Sequence, residues 1–172
     1  MKYIVTLLYA FVIISPAASA ADMQAPFGSE LQNLIKNYNR ATPTIATSGT
    51  ISTGSVKELA EKGFATIIDL RTENEGTAEE RKNVESAGMS YINIPVTGAG
   101  INHKQLAAFT KAIENKPAPI LVHCASGNRV GALWTTYRLS KGISSKIAFE
   151  EGRTAGMKPR LEEKVRASCQ TC

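Results

Sequence analysis

In the stretch LVHCASGNRVG, a cysteine and an arginine stand five positions apart, Cys124 and Arg129, with Gly127 between them. A cysteine thiolate is a strong nucleophile, and a guanidinium is a permanently charged fork that grips an oxyanion through two N–H groups. The preceding run PAPILVH is short, apolar, β-branched and bounded by prolines, so it reads as a buried strand. After the loop, Val130, Leu133, Trp134 and Tyr137 recur at helical spacing up to a stop at Gly142. Cys124 therefore falls on a tight strand-to-helix turn, where backbone N–H groups and the positive end of a helix dipole converge. Cys124 and Arg129 are the catalytic candidates. Ala125, Ser126, Gly127, Asn128 and Val130 are the substrate-binding ones. A cysteine that ends a strand is commonly a small core hydrophobe. The glycine, the arginine and the helix start together argue against that reading here.

The elements that must hold this loop follow from the rest of the chain. SELQNLIKNYNR offers Leu31, Leu34, Ile35 and Tyr38 as a helical stripe, and TPTIATSGTIST reads as an edge strand and turn. Ser55 with Glu58, and Thr77 with Glu80, have the spacing of capping boxes that open two helices, each ended by a glycine. FATIIDL and SYINIPV are strands, residues 103–115 carry Leu106, Phe109 and Ile113 on one helical face, and two polar helices close the chain. Strands alternating with helices imply an α/β fold, a parallel sheet of about four strands with helices on both faces. Ligands of such sheets bind beyond the carboxyl ends of the strands. DLRTENE, PVTGAGINH and HCASGNR are thereby expected around one crevice.

Composition narrows the class. The 172 residues carry a net charge of +5 with both signs interspersed and no Lys/Arg cluster, which argues against a nucleic-acid surface and is compatible with small anionic substrates. MKYIVTLLYAFVIISPAASA has the lysine, apolar stretch and Ala18-Ser19-Ala20 site of a secretory signal peptide. Cleavage near Ala20, export to a periplasm and no membrane attachment afterwards are the expectations. The organisation read from sequence is a signal peptide over 1–20, a leader and helix over 21–44, a main domain over 45–158 and a C-terminal helix and tail over 159–172. Of three cysteines, Cys169 and Cys172 form a terminal CQTC, which leaves Cys124 as the odd thiol and makes the tail a candidate for contact with a thiol redox partner. No metal set or cofactor motif is legible, because His123 and Cys124 are chain neighbours and the tail pair is only half a zinc site.

GFATIIDLRTENE, AGMSYINIPV and PILVHCASGNRVGALW, in this order, resemble the phosphatase-like domain of bacterial beta-lactamase-hydrolase-like proteins, itself similar to dual-specificity and protein tyrosine phosphatases. The resemblance implies a phosphatase-like hydrolase in which Cys124 attacks phosphorus, forms a phosphocysteine and is released by water. It gives His123 a supporting role, tying down the loop from the opposite strand face. Arg71 is read separately, as a second cation reaching the same crevice as Cys124 or as the partner of Glu73 or Glu75. The chain departs from the phosphatase pattern at three places. Four residues rather than five separate Cys124 from Arg129, Val130 replaces a hydroxyl residue, and no Asp or Glu lies between Ser86 and Ile113 to act as general acid. His103, Glu73 and Glu75 are the candidate substitutes. The shorter loop is similar to that of rhodanese-type sulfurtransferases, which move sulfur through a cysteine persulfide. A non-catalytic oxyanion-binding module is the third alternative.

Overall fold

A computed structural model describes residues 24–169. Its centre is a five-stranded sheet in the order β1-β2-β5-β3-β4, formed by β1 (Asn39–Thr42), β2 (Ile45–Ser48), β3 (Thr66–Asp69), β4 (Ser90–Asn93) and β5 (Ile120–His123). Four strands run parallel, and β1 is the antiparallel edge. The three inner strands, β2, β5 and β3, are buried along their whole length, the pattern of a sheet covered on both faces.

Alternation of side chains divides the core. Ala46, Ile67 and Leu121 face α1 (Val56–Glu61) and α2 (Thr77–Ser86), where they pack with Leu59 and Val84. Ile45, Ile68, Ile120 and Val122 face α3 (His103–Asn115) and α4 (Asn128–Ser140), with Phe109, Leu133 and Trp134. A third cluster joins α4 to α5 (Ser145–Thr154) and α6 (Pro159–Ser168) through Ala132, Phe149, Met157, Leu161 and Val165. Among the described residues, no helix is long and apolar enough to cross a membrane. The signal-peptide reading of residues 1–20 lies outside the described residues, as does Cys172; Cys169 is disulfide-bonded.

Several local readings are corrected. Residues 29–40 do not form a helix: a 3-10 turn spans Gly28–Glu30, Asn37 is left-handed at φ 51°, and Asn39 already pairs with Thr47. Leu31, Leu34 and Ile35 are nevertheless core residues, delivered by turns rather than by a helix face. TIATS supplies β2, an inner strand, and the edge is β1. Neither anticipated capping box forms. Ser55 makes no side-chain cap bond, and Thr77 already lies inside α2, with Gly76 at its cap. The box instead joins Thr72 to Glu75 on a 3-10 turn, Glu73–Glu75, beyond β3. Glu80 is thereby free to turn inward.

Candidate active site

Cys124 ends β5 and packs on the α3–α4 side of the sheet, with 1% of its surface exposed. Gly127 N–H donates to its Sγ at 3.2 Å. The loop carbonyls face the other way: Ala125 O accepts from Thr50 Oγ1 at 2.7 Å, and Ser126 O from Asn37 Nδ2 at 3.1 Å. In a trans peptide the C=O and the following N–H are antiparallel. The Ser126 carbonyl, drawn outward, therefore turns the N–H of Gly127 toward the sulfur, where it donates, so the loop presents a backbone donor to Cys124. Asn128 Oδ1 accepts from Lys158 N–H at 2.8 Å, which ties the loop to the start of α6.

Gly127 has φ 86°, and a Cβ there would lie 2.3 Å from Ala155 O. Both the conformation and the space forbid a side chain. Gly127→Ala should destabilise the protein by about 2 kcal/mol or more, measured as a lowered urea midpoint with an unchanged slope.

Arg129 lies on the first turn of α4. Its Nη1 and Nη2 grip Glu75 Oε2 and Oε1 at 2.8 and 2.7 Å, and Nη1 also donates to Val96 O at 3.1 Å. Glu75 raises the arginine's pKa, burial opposes this, and the neighbouring Cys124 adds to the rise. The glutamate's own pKa is held down to about 2, first by the Arg129 fork and, against the opposing effect of burial, also by Thr72. Because its folded value lies below the ordinary 4.5, Glu75 contributes stability that is present above that value and lost as pH falls through about 2. A carbon NMR titration should find the Glu75 carboxyl still ionised well below its ordinary range, and Arg129→Ala should return it there.

On the opposite face of the sheet, under α2, lies a second group of charges. Register pairs Asp69 with His123 at the carboxyl ends of β3 and β5, and both are fully buried. Arg71 Nη2 donates to Asp69 Oδ2 at 2.8 Å and to Glu80 Oε2 at 2.7 Å, and Tyr91 Oη donates to Asp69 Oδ2 at 2.8 Å. Burial pushes the Asp69 pKa up, but the Arg71 hydrogen bonds and the His123 charge outweigh it and leave the value lowered.

The expected constellation is thus partly assembled. Cys124, Gly127 and Arg129 converge. The side chain of Val130 is buried in the core, so it can offer a ligand only backbone, and that of Asn128 is engaged with α6. Arg71 pairs with Asp69 and Glu80 rather than with Glu73 or the Glu75 carboxylate. Among the proposed acids, Glu75 is locked to Arg129, and Glu73 is exposed on the 3-10 turn. His103 is exposed at the start of α3 and borders a shallow groove with Leu106, Lys111 and Ser140, away from the Cys124 loop. Sequence reading missed Asn37, Thr50 and the Ala155–Lys158 turn as clamps on the loop, because nothing local marks contacts across 89 and 75 residues. Asp69 and Glu80 went unnoticed as partners of His123.

Residues 37–140 match the family described as "Beta-lactamase hydrolase-like protein, phosphatase-like domain". A curated beta-lactamase hydrolase-like protein of Xylella fastidiosa is 32% identical over 117 residues, 65% of this chain. That stretch spans only 26% of the relative. Among solved structures, the core catalytic domain of a PP-IP phosphatase from S. cerevisiae, in complex with citrate, has a TM-score of 0.62 at 19% identity, over 77% of this chain and 85% of that one. TpbA from P. aeruginosa has a TM-score of 0.60 at 22% identity, over 87% and 91% of the two chains.

Proposed function

Because the chain belongs to the phosphatase-like domain family of beta-lactamase hydrolase-like proteins, we propose that it is a cysteine-dependent hydrolase of small phosphate monoesters. The observation that carries this reading is the Cys124 loop, with its carbonyls clamped outward, its Gly127 N–H on Sγ and Arg129 beside it. The Cys124 thiolate attacks phosphorus as the bond to the leaving oxygen breaks, and that oxygen departs with the electron pair. The loop amides and Arg129 bear the charge on the phosphoryl oxygens. Water then attacks phosphorus, the S–P bond breaks and the thiolate returns. The leader-like residues 1–20 support action after export, and N-terminal sequencing of the exported protein should begin at Ala21.

Rapid acid quench during turnover of an aryl phosphate, followed by peptide mass spectrometry, should find a phosphoryl group on the Cys124 peptide. Phosphate release without that adduct, and undiminished in Cys124→Ser, overturns the mechanism. The four-residue spacing between Cys124 and Arg129 and the absence of a free acid at the loop favour a second reading, sulfur transfer. There the thiolate takes the outer sulfur of thiosulfate, and sulfite leaves with the electron pair and needs no proton. Thiocyanate formed from thiosulfate and cyanide, with no hydrolysis of any phosphate ester, selects it.

A further inference from the structure

We propose that Asp69, Glu80 and His123 form a binding site for one first-row divalent cation of the zinc type, on the sheet face opposite Cys124. One donor atom from each of Asp69, Glu80 and His123 lies within 4.8 Å of the others. His123 Nε2 is 3.5 Å from Asp69 Oδ1 and 2.7 Å from Glu80 Oε1. Donors bound tetrahedrally at zinc distances of 2.0–2.2 Å stand about 3.3 Å apart. The histidine–aspartate separation already matches, and the histidine–glutamate separation needs to open by about 0.6 Å.

Two features point to a ligand rather than to a closed ion-pair network. Although His123 Nε2 and Glu80 Oε1 are close, their approach is out of line, so neither atom has a hydrogen-bond partner, and His123 is fully buried. The charge count also leaves a place for a cation. Asp69 and Glu80 bring two negative charges and Arg71 one positive, so the group is balanced either by a proton on His123 or by a metal ion in that proton's place.

The surrounding groups suit that role. Arg71 Nη2 holds the second oxygen of each carboxylate, Tyr91 also binds that of Asp69, and Arg71 N–H and Nε donate to Asp69 Oδ1 itself at 2.8 and 3.1 Å, so both carboxylates are fixed beside the histidine as outer partners fix the ligands of a metal site. One imidazole and two carboxylates favour zinc-like ions over calcium or magnesium, which prefer oxygen alone. A cleft of about 300 Å³ is lined by Arg71, Glu79 and Glu80, together with Thr50 and Glu75. Glu80 is the member of the group that borders this cleft, so an ion would enter past its carboxylate.

Cobalt(II) is the probe, titrated into the chelator-treated full chain and followed by its visible bands. The expected result is one equivalent bound without a thiolate charge-transfer band, retained in Cys124→Ser, displaced by zinc and weakened at least tenfold in Glu80→Gln, with circular dichroism confirming the fold. Nitrogen NMR of wild-type protein provides a measurement that needs no variant: adding zinc should move the His123 Nε2 resonance. Absence of saturable binding at millimolar metal overturns the proposal. So does binding that depends on Cys124 or ignores Glu80. A His123 resonance that stays that of an imidazolium in the presence of zinc would assign the missing charge to a proton and overturn it equally.

Discussion

Cys124→Ser should lower aryl phosphate turnover by at least a factor of about 10³ while preserving the fold. The loss follows from what surrounds the sulfur. Gly127 N–H and Arg129 are both donors, and they can stabilise an anion but cannot remove a proton. The one imidazole nearby in sequence, His123, points through the other face of the sheet to Asp69 and Glu80. A serine hydroxyl placed there has no base to activate it, whereas a thiol needs none once it is ionised. The variant should still fold, because the hydroxyl can accept the same Gly127 hydrogen bond. Steady-state kinetics with a thermal melt checks both halves, and turnover within tenfold of wild type would remove Cys124 from the chemistry.

Aryl phosphates should be hydrolysed about 10²–10⁴-fold faster than alkyl phosphates, the range that a general acid contributes when the leaving group needs a proton. Phenolate leaves unaided, but an alkoxide does not. The segment after β4 has no carboxyl group from Pro95 to Ile101, and Glu75, the acid nearest the loop, stays ionised against Arg129. A series of substituted phenyl phosphates should accordingly give a steep dependence of kcat/KM on leaving-group pKa. A flat series would reveal an acid supplied from elsewhere.

The inner strands β3 and β5 and the Cys124 turn were legible because their signals are local: an apolar, β-branched run and a glycine before a helical stripe. β1 was not, since NRAT has no alternation and a single apolar residue, Ala41, and is a strand only by pairing with β2. Leu31, Leu34 and Ile35 show a subtler failure, in which the periodicity found the core correctly but named the wrong element. At the site, Glu80 was hidden by a plausible spacing. Three positions after Thr77 it suggested a capping box, yet the helix begins one residue earlier than that box requires, and the carboxylate goes to Arg71 instead. Glu75 was found as a site residue but assigned the opposite role. Only the Arg129 fork, 54 residues away, decides that it is a fixed anion rather than a proton donor.

The anchors of the Cys124 loop come from both sides of it in the chain: Asn37 and Thr50 before, Ala155 and Lys158 after. During vectorial synthesis the cysteine emerges with its earlier anchors already made, but without the α5–α6 turn that limits the space around Gly127. Closure across such separations comes late, because chain entropy must be given up before the contacts that reward it exist. The thiol is therefore an ordinary cysteine in a nascent or partly folded chain, and it acquires its donors only once the anchors on both sides have closed on the loop. Reactivity toward a thiol reagent, followed during refolding, would then serve as a clock for the last step of assembly.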